Sequence, residues 1–263
     1  MRRPSPQPVV RAAFCRIPWG VDVFYQPIVD LPARSLVRAE ALCRFPASAG
    51  LKTPSDYVRY AEEQGLVQVL TDEVLAQALG FWRRLGSAAP PQLAVNLSPK
   101  NLLEFDFAER VFAALAKTGI EASRLWIDID ERLLTAHDTV SRQNIQKLVD
   151  ARIHLSIDGF DPNLSPVTHL QLRALPLSEL KIDRSLLVDL ENDPERRAKL
   201  KAILDVAAES GLELSAKGIE DEAMVEWLTR FGFVRMQGYL VGAPLSENEF
   251  QAWLAQKRPS TVA

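Results

Sequence analysis

The feature that most constrains this chain is a repeated alternation of short apolar runs with amphipathic helical patterns. Runs rich in branched and aromatic residues occur at 23–29, 36–44, 93–97, 125–130, 153–157, 179–182, 212–216 and 234–237. Helical patterns separate most of these runs, and no linker rich in glycine, proline or serine interrupts the series. Such alternation over about 240 residues predicts one α/β domain, a single (β/α)8 TIM-type barrel.

The first connection of the series differs from the others because it is short. Only residues 30–35 separate the first two predicted strands, and a crossover helix needs a dozen residues or more. The first strand is therefore expected to run antiparallel to the second. A doubly wound open sheet is the main alternative, but no glycine-rich phosphate-binding turn follows the first strand.

The ends of the chain and its charge set further bounds. The opening MRRPSPQP predicts a disordered tail over residues 1–18, followed by the barrel over 19–257 and a frayed end over 258–263. A net charge of −3 gives no reason to expect nucleic acid or an anionic membrane as a partner. Cys15 and Cys43 form no metal-binding or disulfide pattern, and no secretory or membrane-spanning run is present. The expected compartment is the cytoplasm.

Polar residues follow the ends of the predicted strands, where a barrel gathers its active-site groups. Glu40 lies within an apolar strand, so its carboxylate needs a partner on burial: a basic side chain, a metal ion or a substrate. Oxygen donors on four successive strands favour a metal ion, because hard divalent cations prefer carboxylate and amide oxygens. The strand-end residues are Glu40, Asn96, Asp128, Asp158, Lys181, Lys217 and Gln237, with Glu131 and Glu220 just behind.

Six short motifs then occur in order along the chain. They are Tyr25-Gln26-Pro27-Ile28-Val29, Glu40-Ala41-Leu42-x-Arg44, Asn96-Leu97-Ser98, Lys181-Ile182-Asp183-Arg184, Gln237-Gly238-Tyr239 and Ala243-Pro244-Leu245. From about Val23 to Leu245, the chain resembles the EAL-domain family, bacterial phosphodiesterases that cleave cyclic di-GMP to the linear dinucleotide pGpG. The resemblance implies a barrel with an antiparallel first strand and a hydrolase that uses two Mg2+ or Mn2+ ions.

The resemblance also implies roles for individual residues. A first metal ion would be held by Glu40, Asn96, Asp128 and Asp158, with Asp128 standing where the family has glutamate. Lys181 would lie near the attacking water, and Glu220 with Gln237 would complete the polar floor, so that Lys181 and Glu220 are the catalytic candidates. Ligand-binding positions would be Gln26 and Pro244 at guanine, Arg44 at a phosphate, and Leu42, Asn96 and Gln237.

Two departures from the family pattern fall on the second metal ion. The family has a second aspartate where this chain has Gly159, and a glutamate where it has Lys217. These changes alter the charge of the site by three units and predict that the second metal site is absent. Lys217 would either bind a ligand phosphate or only neutralise Asp158 and Glu220. The loop at 159–166 has also lost the family's glycine pattern.

These departures predict a degenerate, catalytically inactive EAL domain in cyclic di-GMP signalling. It would act as a nucleotide receptor or as a protein-interaction regulator with an unidentified protein partner. The alternative is a weakly active phosphodiesterase that uses one Mg2+ or Mn2+ ion with Lys181 and Lys217. The resemblance further suggests a homodimer through the fifth and sixth units of the barrel.

Overall fold

Eight β-strands close into a barrel in sequence order in this computed structural model. They are β1 (Asp22–Asp30), β2 (Leu36–Arg44), β3 (Gln92–Leu97), β4 (Leu125–Asp130), β5 (His154–Asp158), β6 (Glu179–Asp183), β7 (Glu213–Lys217) and β8 (Phe233–Gln237). The first strand runs antiparallel to both of its neighbours, β2 and β8, and every other pair is parallel. The predicted barrel with an antiparallel first strand is confirmed.

The structure describes residues 20–31, 33–46, 53–131, 138–159, 174–190 and 192–257. The predicted tail over 1–18 and the predicted frayed end over 258–263 lie outside these ranges, so the predicted domain bounds stay predictions. All of the 159–166 loop except Gly159 also lies outside them. Within the described ranges, no helix is both long and apolar enough to cross a membrane.

Helices pack around the barrel, and polar capping residues precede several of them. In α1, Thr53 accepts a hydrogen bond from the Asp56 backbone N–H, and the Asp56 carboxylate accepts one from the Thr53 backbone. The helices are α1 (Pro54–Glu63), α2 (Val67–Leu85), α3 (Pro99–Leu102), α4 (Phe107–Thr118), α5 (Thr139–Asp150), α6 (Arg184–Leu187), α7 (Pro194–Ser210), α8 (Ala223–Arg230) and α9 (Glu247–Lys257).

The apolar core lies between the strands and these helices. Alternate strand residues such as Ile127, Ile129 and Ile157 are fully buried in one cluster that also contains Leu148 of α5 and Ile203 of α7. Successive side chains of a strand point to opposite faces, so the residues between these isoleucines point into the barrel. In β4 and β5 those residues are polar or aromatic, so polar and charged side chains line this part of the barrel interior.

A buried ion pair occupies the amino-terminal half of the barrel interior. The Arg38 guanidinium donates to the Glu179 carboxylate at 2.7 Å, and both side chains are inaccessible to solvent. Arg38 also stacks 3.5 Å above the Trp126 ring, and Arg235 donates to the same carboxylate at 3.1 Å. Two guanidinium groups and an aromatic face thus compensate the burial of one carboxylate.

Residues 238–244, here called the wall segment, follow β8 and lead to Leu245, which lies beside β1. A Cβ atom at Gly238 would lie 2.0 Å from the Ile219 carbonyl oxygen, so only glycine fits where the segment begins. The Leu240 N–H donates to that same oxygen at 3.1 Å, and Leu245 exchanges backbone hydrogen bonds with Tyr25 of β1. These bonds fix both ends of the wall segment against the barrel.

The buried ion pair makes a stability prediction. Glu179→Gln is nearly isosteric but leaves the Arg38 charge buried without a full counter-charge, so we expect it to lower the free energy of unfolding by about 3–5 kcal/mol. Urea denaturation followed by circular dichroism measures the loss. Glu222→Gln is the matched control, because the Glu222–Arg34 pair is exposed and solvent screens its charges, so its loss should be much smaller. Equal, small losses in both variants would contradict the assignment.

Candidate functional site

A cleft of about 690 Å³ opens at the carboxyl ends of the parallel strands. It gathers most of the residues that the sequence analysis selected, but its lining includes neither Lys181 nor Glu131. Lys181 is buried and contacts two of them, Glu40 and Asp128. Lining the cleft are Gln26, Glu40, Leu42, Arg44, Asn96, Asp128, Asp158, Lys217, Glu220, Gln237 and Pro244.

Glu40 lies at the centre of a set of hydrogen-bond donors. Its Oε1 accepts from Asn96 Nδ2 at 2.6 Å, and its Oε2 accepts from Gln237 Nε2 at 2.7 Å. The Lys181 ammonium is 3.7 Å from the second oxygen. Burial alone would raise the pKa of Glu40, but Lys181 and the two amide donors outweigh it and lower that pKa. Glu40 is therefore ionised and internally compensated.

Asp128 shares the Lys181 ammonium with Glu40. One carboxylate oxygen pairs with Lys181 Nζ, and the other accepts a hydrogen bond from the Ser156 hydroxyl. Burial, followed by the Glu40 and Asp158 carboxylates, raises the pKa of Asp128 to about 6, although Lys181 acts in the opposite direction. These acids therefore lie close enough together to disfavour one another's charge.

Lys217 brings a second ammonium group to the cleft. Its Nζ lies 2.9 Å from Asp158 Oδ1 and 4.0 Å from Asp183 Oδ2. A Cβ atom at Gly159 would lie 3.9 Å from the same nitrogen. Burial opposes the charge of Lys217, but Asp158 outweighs it, so the pKa of the ammonium is raised. The Lys217 ammonium, held on its side chain, therefore lies beside Gly159, the position at which this chain carries glycine instead of an acid.

The remaining predicted residues line the rim or the walls of the cleft. Glu220 is half-exposed and pairs with the Arg184 guanidinium. Arg44 donates to the Cys43 carbonyl at 2.8 Å, and its guanidinium lies 5.5 Å from the centre of the Phe24 ring. The ligand-binding and catalytic roles assigned to these side chains stay predictions.

Two residues that contact candidate site residues were not selected from the sequence. Ser156 holds Asp128, and Asp183 lies beside Lys217. Both positions follow from period-two alternation within strands: Ser156 precedes Asp158 by two residues, and Asp183 follows Lys181 by two. Because residues two apart on a strand share a face, applying this alternation to every strand would have found them.

The chemistry of one part of this site suits a divalent cation. Glu40, Asn96 and Asp128 carry the hard oxygen donors that such a cation prefers. Within the described residues, however, no three acidic, histidine or cysteine side chains are grouped as a ready ligand set. The ammonium groups of Lys181 and Lys217 are placed among the carboxylates instead.

The chain is similar to curated proteins from several bacteria. The bifunctional diguanylate cyclase/cyclic di-GMP phosphodiesterase MucR of Pseudomonas aeruginosa is 32% identical over 235 residues, which is 88% of this chain and 34% of MucR. The probable cyclic di-GMP phosphodiesterase PdeI of Escherichia coli is 29% identical over 234 residues, 87% of this chain and 29% of PdeI. The chain thus spans about a third of the length of such relatives.

Solved structures agree with this similarity. The PaMucR phosphodiesterase in complex with c-di-GMP is 31% identical with a TM-score of 0.77, over 88% of this chain and 99% of that one. The EAL domain of Mycobacterium smegmatis DcpA is 26% identical with a TM-score of 0.74, over 91% of this chain and 100% of that one. The family model for the EAL domain matches residues 20–244. The chain therefore belongs to the EAL domain family.

Proposed function

We propose that this EAL domain binds cyclic di-GMP as a signalling receptor and does not hydrolyse it at an appreciable rate. The binding half of the proposal is supported by the 31% identical PaMucR phosphodiesterase, whose structure is a c-di-GMP complex covering nearly the same length. It is also supported by the cleft, where Arg44, Asn96 and Pro244 stand at positions that the family uses for ligand.

One observation carries the catalytic half of the proposal: the Lys217 ammonium next to Gly159. In the family pattern, acids at both positions belong to a second metal ion. Here Lys217 Nζ lies 3.9 Å from the position of a Cβ atom at residue 159 and pairs with Asp158 at 2.9 Å. The two departures from the family pattern thus form one compensated unit, in which a tethered ammonium replaces a divalent cation.

An ammonium and a metal ion differ in what they do for hydrolysis. Two metal ions can lower the pKa of a bridging water and stabilise both the attacking and the leaving oxygen. An ammonium has no open coordination position for water, and the raised pKa of Lys217 keeps it from acting as a base near neutral pH. Lys217 can still donate hydrogen bonds to a phosphate as a point charge.

The other half of the site keeps residues that would hold one Mg2+ or Mn2+ ion, namely Glu40, Asn96, Asp128 and Asp158. Such an ion would supply positive charge beside a ligand phosphate. The chain's own groups would do the rest: Lys181 neutralises Glu40 and Asp128, and Gln237 orients Glu40 through a 2.7 Å hydrogen bond. No second metal ion enters this proposal.

A weakly active phosphodiesterase is the second candidate, favoured by the intact set of Glu40, Asn96, Asp128 and Lys181 around one side of the cleft. A regulator that acts through an unidentified protein partner, or as a homodimer, stays a prediction. The altered 159–166 loop on which those ideas rest lies outside the described residues, apart from Gly159.

A turnover assay separates the receptor from the enzyme. We expect purified protein incubated with cyclic di-GMP and Mn2+ to release no more pGpG than a Glu40→Ala control, because no second metal ion activates water. Chromatography of the products after several hours measures the difference. Turnover clearly above the Glu40→Ala level, and abolished by a chelator, would establish the slow phosphodiesterase instead.

Calorimetry without divalent metal tests the receptor claim itself. The wild-type protein should bind cyclic di-GMP in the presence of a chelator, and Lys217→Met should weaken binding about tenfold or more, since charge-assisted hydrogen bonds to phosphate are strong. Lys201→Met is the control, because Lys201 is exposed and pairs with Asp205 on its own helix. Absence of heat with wild-type protein at high micromolar ligand would remove the receptor claim.

Reversion of the two departures should restore metal-dependent hydrolysis. Gly159 has a φ of +69°, a conformation that aspartate tolerates better than most residues, so Gly159→Asp with Lys217→Glu is a feasible double variant. We expect Mn2+-dependent pGpG release from the double variant and none from Gly159→Asn with Lys217→Gln, which matches its size without the charge. An inactive but folded double variant would show that these two positions do not explain the missing activity.

A further inference from the structure

Three side chains connect the buried acid of the cleft to the wall segment. Gln237 Nε2 donates both to Glu40 Oε2 at 2.7 Å and to Gln26 Oε1 at 3.0 Å. Gln26 Nε2 in turn donates to the carbonyl oxygen of Gly242 at 3.0 Å. We call this series, from Glu40 through Gln237 and Gln26 to Gly242, the amide relay. It crosses three strands and ends two residues before Pro244.

The reversed first strand brings these groups together. In the pairing of β1 with β2, Gln26 is the register partner of Glu40, and in the pairing of β1 with β8, Ile28 is the partner of Gln237. Gln26 and Ile28 are two residues apart and share one face of β1. The Gln26 side chain can therefore reach Gln237 on one side and the wall segment on the other.

The direction of every bond in the amide relay is set by the charge at its start. An ionised carboxylate can only accept hydrogen bonds, so Gln237 must present its NH2 group to Glu40. The second hydrogen of that NH2 group is given to Gln26 Oε1, which turns the Gln26 NH2 group toward Gly242. Turning either amide over would place two acceptors or two donors face to face.

The middle of the wall segment depends on the bond from Gln26 to the Gly242 carbonyl more than the two ends of the segment do. Leu240 and Leu245 are held by backbone hydrogen bonds to Ile219 and Tyr25. Between them, the Val241 and Gly242 N–H groups both donate to the Gly238 carbonyl within the segment itself, and the described part of the chain offers them no other backbone acceptor. Among the described residues, the Gln26 amide is the side-chain donor that ties Gly242 to β1.

We propose that Gln26 and Gln237 are positioning residues that set the shape of the cleft wall at Gly242 and Pro244. Gln26 then acts on a ligand through the wall and does not read the edge of a base. The part of this inference that concerns a ligand rests on the proposed function. The part that concerns the wall is a property of the protein without ligand.

Hydrogen–deuterium exchange on the ligand-free full chain tests the wall directly. Gln26→Leu should speed exchange of the Val241 and Gly242 amides about five- to tenfold, the effect expected for one lost hydrogen bond. The Leu240 amide should not change. Gln77→Leu is the matched control, because Gln77 also donates from its side chain to a backbone carbonyl, that of Val21, but far from the wall segment.

A second variant tests the series as a whole and guards against misfolding of the first. Gln237→Met leaves Gln26 in place but removes the group that orients it, so exchange at Val241 and Gly242 should rise about twofold or more. Unchanged exchange in folded Gln237→Met protein would overturn the relay, and unchanged exchange in folded Gln26→Leu protein would overturn the wall contact.

Ligand titration decides between positioning and base reading. If Gln26 positions the wall, Gln26→Leu should bind cyclic di-GMP more weakly while its preference over cyclic di-AMP stays within about twofold of the wild-type value. Loss of that preference by about tenfold or more would mean that Gln26 reads guanine, and would overturn the proposal. If the wild-type protein binds neither dinucleotide, the proposed function fails, while the exchange result still decides the relay.

Discussion

The structure depends on compensation of charges that the barrel encloses. Arg38 and Arg235 hold Glu179 in the lower half of the interior, and Lys181 holds Asp128 and Glu40 above it. A lone charge in such surroundings would cost several kcal/mol, so each group is tolerated only because its partner lies on another strand. The ion pairs therefore make strand register a condition for burying the charges at all.

Much of the fold and of the site could be predicted from the sequence, because both depend on local patterns. Strand and helix positions follow from apolar periodicity, and Glu40, Asn96 and Asp128 meet because strand ends meet in any barrel. The pair between Arg38 and Glu179, which are 141 residues apart, could not be predicted, since it depends on the stagger between strands. The partner of Glu220, the Arg184 guanidinium, was missed because both residues lie beyond the ends of their strands, where period-two alternation no longer applies.

The structure gives a physical interpretation of the departures at Gly159 and Lys217. Taken separately, Gly159 removes an acid of the family pattern, and Lys217 reverses the charge of another. Together they place the Lys217 ammonium beside residue 159, 2.9 Å from Asp158 and 4.0 Å from Asp183. In the proposed receptor, this ammonium would supply the positive charge of that half of the cleft without dissolved metal, and it would not activate water.

The direction of β1 has a consequence for how the domain is attached to other polypeptide. Because this strand is reversed, its first residue, Asp22, is paired with Arg44, the last residue of β2, which lines the cleft. The chain therefore enters the barrel at the mouth of the cleft instead of at the opposite end. Gln26, which lines the cleft, lies four residues along the strand from this entry point. The entry of the chain and the cleft therefore share one end of the barrel.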